Sequence, residues 1–247
     1  GCQSDYIAPR CSKIPRKYQQ NRDVMSPDVA AVALLSGGLD SCVAVAIAVQ
    51  AYGPRMAILH AGYGQRTAMR EQQAAQAISA HYGLGTFLAV DLTWLRDIGG
   101  SSLTDPSQPV PGADDTAAVP TTYVPFRNAS LLAAAVAWAE VLGAGEVYCG
   151  AHAADSAYPD TQPAFFTAFN EVARQGTPQT TQIVVRTPLL DLDKEAIVRR
   201  GDRLQAPLHL TWSCYEQQDQ PCRRCHSCHL RARGFAAAGI PDPLASY

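Results

Sequence analysis

Two strings of residues in this sequence have the types and spacing to do chemistry. The first is Ser36-Gly37-Gly38-Leu39-Asp40-Ser41, set between the apolar run Val29–Leu35 and a stretch of helical character. Paired glycines let a backbone turn tightly and offer its N–H groups to an anion. A helix start adds unpaired N–H groups and the positive end of its dipole. Ser36 and Ser41 supply hydroxyls, and Asp40 could hold Mg2+ or cap the helix. A capped strand-to-helix turn is the plainer reading, but the flanking strand and helix favour an anion site. Neither G-x-x-x-x-G-K-[ST] nor G-x-G-x-x-G occurs, so no Walker or dinucleotide loop competes.

The second string is Cys214 followed by Cys222, Cys225 and Cys228. Four thiolates suit tetrahedral Zn2+. A site closed by four sulfurs leaves no position for water, so its role would be structural. An iron–sulfur cluster and a redox-active pair are the alternatives. Zinc is favoured because the fourth cysteine lies upstream and no proline follows Cys228. Cys42 and Cys149 have no partner spacing and read as small buried apolar residues.

These strings need a scaffold. The chain has 247 residues, 47% hydrophobic and 17% charged, which is a globular composition able to build one full core. Its 20 Lys and Arg against 22 Asp and Glu give a net charge of -2, which argues against nucleic acid as a partner. No apolar run approaches the ~20 residues of a membrane span. No signal-like segment opens the sequence, so a cytoplasmic location is expected.

Residues 1–28 read as a basic arm, 29–210 as an α/β domain and 211–247 as a metal-binding segment. Apolar strands are predicted at Val29–Leu35, Met56–Ala61, Phe87–Val90, Gly145–Gly150 and Gln182–Arg186. Helices are predicted between and after them at Ser41–Tyr52, Thr67–His81, Asn128–Leu142, Pro163–Arg174 and Asp193–Leu204, with a short one in the tail. Such alternation argues for a doubly wound parallel sheet, with ligands bound beyond the carboxyl ends of its strands. The stretch Gly99–Thr122 reads as a lid, a binding loop or a partly disordered segment.

Further segments fall in order between the two strings. They are Tyr63-Gly64-Gln65-Arg66, Val124-Pro125-Phe126-Arg127-Asn128, Asp155 with Tyr158-Pro159-Asp160, Asp193-Lys194-Glu195 and Thr211-Trp212-Ser213-Cys214-Tyr215. With the phosphate loop and the cysteine knuckle they resemble the 7-cyano-7-deazaguanine synthase family of queuosine biosynthesis, from about Ala30 to Tyr247. The loop by itself resembles the pyrophosphatase loop of the adenine nucleotide α-hydrolase-like enzymes.

The resemblance implies a Rossmann-like fold with a C-terminal zinc knuckle formed by Cys214, Cys222, Cys225 and Cys228. It implies that Leu35, Ser36, Gly37, Gly38, Leu39, Asp40 and Ser41, continuing into Cys42, Val43, Ala44 and Val45, hold ATP with Mg2+. Asp40, Ser41, Lys194 and Arg127 are the expected catalytic residues, the last two facing phosphate because each opens a helix beyond a strand end. Tyr63, Gln65, Arg66, Asn128 and Tyr158 are expected at the substrate, with Asp155 and Asp160 on its purine-like edge. The implied reaction adenylates 7-carboxy-7-deazaguanine, forms the amide with ammonia, then removes the amide oxygen to leave the nitrile. A homodimer is implied, and ammonia must be free or supplied by a partner because no glutaminase domain fits in the chain.

The chain departs from the family pattern at Thr161 and Gln162, where the family reads Cys-Arg. It departs also at Thr67, Arg223 and His226, where the family has His, Gly and Asp. A guanidinium lost at position 162 would weaken the nitrile-forming step. The alternative function therefore stops at the amide or joins the activated acyl group to another amine. A tRNA-thiolating enzyme is a further rival, and it would need a catalytic cysteine pair and a basic tRNA face.

Overall fold

The computed structural model describes residues 28–112, 118–154 and 157–245. Nearly all of the expected arm, with Cys2 and Cys11, lies outside them, as does Asp155. The strands are β1 (Ala31–Leu34), β2 (Met56–Gly62), β3 (Thr86–Asp91), β4 (Glu146–Tyr148) and β5 (Val184–Arg186). All neighbours pair in parallel, in the order β3-β2-β1-β4-β5. The helices are α1 (Leu39–Tyr52), α2 (Ala68–His81), α3 (Trp94–Ile98), α4 (Arg127–Leu142), α5 (Pro163–Gly176), α6 (Lys194–Arg203) and α7 (His226–Ala238).

The continuous apolar character of β1 follows from its place: all four of its residues are buried, because both faces of the sheet are covered. Ala31, Ala33 and Leu35 point to a core completed by α1, α2, α6 and α7. Val32 and Leu34 point to the opposite core, closed by α4 and α5. The sheet is therefore doubly wound. α7 lays Phe235 and Ala238 into the same core as α1 and α6, so the C-terminal segment shares the main core. No helix among the described residues is long and apolar enough to cross a membrane.

Several elements differ from expectation. α1 begins at Leu39 rather than Ser41, so Asp40 sits in its first turn. Gly38 is the N-cap and no side chain caps it, which removes the reading of Asp40 as a cap. β4 is a three-residue ladder rather than Gly145–Gly150. Backbone bonds extend it on both sides, from Gly145 N–H to Ala30 O at 3.1 Å and Val184 N–H to Gly145 O at 3.0 Å, and from Cys149 N–H to Arg186 O at 2.9 Å. α3 was not expected, since five residues are too few for a helical period to show. α7 is a full 13-residue helix whose cysteine, histidines and arginines interrupt the apolar spacing.

The stretch Gly99–Thr122 holds no helix or strand among its described residues, yet it is packed. Ser101, Ser102, Leu103 and Thr104 are buried, and Gly112 forms an isolated bridge with Cys225. The described part is thus a strap tied to the cysteine segment.

Gly150, just past β4, decides how close α1 approaches the sheet. A Cβ there would stand 2.8 Å from backbone atoms of Asp40 and Ser41. We expect Gly150→Ala to lose about 1–3 kcal/mol of stability through overpacking. A lower denaturant midpoint at unchanged slope checks this.

Candidate active site

β1 leads into α1 on one face of the sheet, and β4 leads toward α5 on the other. The chain therefore parts at their carboxyl ends, the position where open α/β sheets bind ligands. A cavity of about 260 Å³ opens there. Leu35, Ser36, Gly38, Leu39, Asp40 and Ser41 form one side of it. Ser36 Oγ lies 3.0 Å from Ser41 Oγ and accepts the Gly38 N–H at 3.2 Å, while Ser41 Oγ donates to Gly38 O at 3.0 Å. Gly37 holds a φ of +91°, and a Cβ there would collide with the carbonyl oxygen of Glu71. Its backbone is left to face α2 without a side chain. Cys42, Val43, Ala44 and Val45 lie on buried turns of α1 and are not among the lining residues.

Lys194 opens α6, whose N-cap Asp193 accepts the Ala196 N–H at 2.8 Å. The Lys194 ammonium is buried and donates to both Asp40 oxygens, at 2.7 and 2.9 Å. His152 Nε2 lies 3.1 Å from the same nitrogen and 3.5 Å from Asp40 Oδ2. Burial alone would raise the Asp40 pKa. Lys194, and then His152, outweigh it and hold the carboxyl well below the usual carboxylate range. The loop thus carries an ion pair already held in place at its helix start.

The other end of the cavity is aromatic and cationic. Arg127, at the start of α4, donates from Nη1 to the Tyr63 hydroxyl at 3.1 Å, with its guanidinium carbon 5.3 Å from that ring's centre. Tyr158 and Tyr215 line the same space. Burial opposes the charge of Arg127, but the oxygens of Tyr63, Tyr215 and Tyr158, with Asp160, raise its pKa above its ordinary value. Burial pushes the Tyr63 phenol up to about 12 and that of Tyr215 well above its usual value. The Tyr63 and Tyr215 phenols stay neutral beside a fixed cation.

Other expected residues act from behind the wall. Asp160 Oδ2 accepts the Asn128 N–H at 2.9 Å, and its carbonyl accepts Asn128 Nδ2 at 3.1 Å, so Asp160 pins the start of α4. Asn128 itself lines the cavity. Gln65 is buried and its Oε1 accepts the Tyr63 N–H at 2.8 Å. Arg66 is turned away from the cavity. Its guanidinium donates to the carbonyls of Ser102 at 2.9 Å, Asp105 at 2.7 Å and Gln108, fastening the strap.

Glu71, His152, Trp212, Ser213, Tyr215 and Ser227 line the cavity without having been singled out as site residues. His152 had a signal, standing just past a strand end at the switch point. Ser213 and Tyr215 flank Cys214, and Ser227 lies between Cys225 and Cys228, so the spacing of the cysteines already marked where a wall would fall.

The four cysteine sulfurs lie within 4.8 Å of one another, and the Cys222–Cys228 separation is 4.0 Å. A tetrahedron with metal–sulfur bonds of ~2.3 Å has sulfur separations of about 3.8 Å, so the set could hold a four-coordinate metal ion. Backbone N–H groups of Glu216, Gln217 and Cys222 point at Cys214 Sγ at 3.4, 3.3 and 3.3 Å, which favours its thiolate.

A family model described as queuosine biosynthesis protein QueC matches residues 30–239. The chain belongs to that family. Two 7-cyano-7-deazaguanine synthases show how much of it is shared. The one from Koribacter versatilis (strain Ellin345) is 51% identical over 218 residues, covering 87% of this chain and 92% of its relative. The one from Chlorobium phaeobacteroides (strain DSM 266 / SMG 266 / 2430) is 49% identical over 216 residues, covering 87% and 95%. The chain is thus an enzyme of the 7-cyano-7-deazaguanine synthase family. Among solved structures, the NAD+ synthetase from Burkholderia pseudomallei is similar at a TM-score of 0.44 and 18% identity, covering 86% of this chain and 74% of that one.

We expect this QueC-family chain to purify with one metal ion bound by the four cysteines. Cys225→Ala should lose both the ion and thermal stability, because metal binding is coupled to folding. Metal analysis and melting curves of the two proteins check this.

Proposed function

We propose that this enzyme is an ATP-dependent ligase that forms carbon–nitrogen bonds, converting 7-carboxy-7-deazaguanine and ammonia into 7-cyano-7-deazaguanine through the amide. One observation carries the reading. A single cavity joins the phosphate-loop residues Ser36, Gly38, Asp40 and Ser41 to a guanidinium, Arg127, set among three tyrosines. The first end suits a polyphosphate and the second a flat acid. The relatives at about half identity are named 7-cyano-7-deazaguanine synthase, which supports the same product here.

The roles follow from the charges. The helix start and the Ser36 and Ser41 hydroxyls bind the β- and γ-phosphates, while Lys194 offsets the Asp40 charge that would otherwise repel them. Mg2+, when bound at Asp40, would screen the phosphates further. Arg127 draws the substrate carboxylate in, and Tyr63, Tyr158 and Tyr215 give its ring apolar faces. A carboxylate oxygen attacks the α-phosphate, pyrophosphate leaves, and ammonia displaces AMP from the acyl carbon. In the second round the amide oxygen attacks the α-phosphate of another ATP. The O-adenylated amide gives up one N–H proton to become an imidate, and loss of AMP with the second N–H proton leaves the nitrile. The four cysteines would hold Zn2+, which closes one wall of the cavity rather than touching substrate. A homodimer and free ammonia complete the proposal.

Two observations weigh against the rivals. Of the two departures at this turn, Thr161 lines the cavity and Gln162 does not; Gln162 Nε2 donates to the Tyr158 carbonyl at 3.3 Å, which favours a smaller part for the missing guanidinium. A thiolation mechanism needs an ionised thiol outside the four-cysteine set, where a bound metal would hold the Cys214 thiolate. Burial pushes Cys42 up to about 12 and Cys149 up to about 11.

Mass spectrometry of a reaction containing 7-carboxy-7-deazaguanine, ATP and ammonia tests the proposal. The expected products are nitrile, AMP and pyrophosphate. ADP and phosphate, or lasting accumulation of amide, would overturn it. Asp40→Ala should reduce kcat about a hundredfold or more, by analogy with loss of one preorganised electrostatic group.

A further inference from the structure

Glu71 is a carboxylate in the wall of a cavity whose other chemistry favours anions. Asp40, the other carboxylate of the described lining, is neutralised by Lys194 at 2.7 Å. Glu71 makes no ion pair with Lys, Arg or His among the described residues. The neighbouring Arg70 places its guanidinium over Trp212, 4.5 Å from the ring centre. Two neutral donors hold Glu71 instead. Gln65 Nε2 gives a hydrogen bond to Oε2 at 3.1 Å, and Thr67 Oγ1 gives one to Oε1 at 2.5 Å. Gln65 and Thr67 are themselves buried, so the carboxylate plane is fixed from behind. Each oxygen accepts one protein hydrogen bond and keeps acceptor capacity for another.

Such a group repels phosphate and a substrate carboxylate. The part of a ligand it faces must therefore bring N–H donors. On the function proposed above, the base has its acid on one ring. On the other it has a ring N–H beside an exocyclic amino group. Those two N–H bonds run parallel and match the two oxygens of a carboxylate. We infer that Glu71 is a specificity-determining residue that reads the ring N–H and 2-amino edge of the deazaguanine. A site built to bond such donors rejects an analogue lacking one of them more strongly than an apolar pocket rejects a missing methylene.

The test compares 7-carboxy-7-deazaguanine with its 2-desamino analogue, using wild-type enzyme and Glu71→Gln, with KM measured separately for the acid, ATP and ammonia. Wild-type enzyme should prefer the amino compound by about a hundredfold or more in kcat/KM. Glu71→Gln should raise KM for the acid about tenfold or more and narrow that preference, leaving KM for ATP and ammonia within about twofold. A wild-type preference near one overturns the inference. So does a rise in KM for ammonia, which would make Glu71 an ammonium site, or for ATP alone. Thr67→Val separates a purely buttressing role: equal losses in both variants with the preference intact overturn the inference. If Glu71→Gln fails to fold, Glu71→Asp reads the same ratio. Failure of wild-type enzyme to consume the acid at all would count against the proposed function, not against this residue.

Discussion

The ion pair between Asp40 and Lys194 joins parts of the chain that share little else. One partner stands in the first turn of α1 and the other opens α6, with His152 from the end of β4 against both. A buried ammonium is tolerated only with a partner, because the cost of desolvating it is several kcal/mol. That requirement fixes how α6 docks against α1, and α7 packs on α6 in the same core. The same pairing keeps the Asp40 charge from repelling an anion at the helix start, so one constraint serves both the fold and anion binding.

The cysteine segment extends this logic to the opposite wall. Trp212 donates its backbone N–H to Gly37 O at 2.8 Å, which locks the segment onto the phosphate loop. Arg231 of α7 donates to Asp242 at 2.8 Å and to Thr211 Oγ1 at 2.7 Å, holding the approach to Cys214 from below. The strap bridges to Cys225 through Gly112 and is clamped by Arg66 at its other end. A bound ion would therefore order Ser213, Tyr215 and Ser227 together with the strap, without contacting a ligand itself.

Much of this was legible in the sequence because it depends on local pattern. Alternating apolar runs and helices gave away a parallel sheet, and four cysteines at metal spacing gave away their convergence. Other placements rest on tertiary contacts. Arg66 sits in a motif beside Tyr63 but turns the other way, toward three carbonyls, which spacing alone cannot reveal. Asp160 was expected at the substrate, while its carboxylate satisfies a helix-start N–H of α4, a contact across 32 residues. Glu71 is a single polar residue with no local pattern, and the place of His152 past a strand end does not reveal what it touches. Their meaning comes from the tertiary neighbours, Gln65 and Thr67 in one case and Lys194 in the other.

The strand order also sets the sequence of events as the molecule folds. β1 can pair with β2 after a short connection, since Ala31 meets Met56, but its other edge waits for Glu146. Closing that longer loop costs more entropy, and pairings so distant along the chain slow folding. The crevice lies at this late seam, and its last wall comes from residues beyond 210. On a ribosome the first half of the sheet can form while the site is still absent. During that interval the open edge of β1 has no partner and is exposed to wrong pairing. The architecture that creates the binding crevice thus also leaves a strand edge open for part of synthesis.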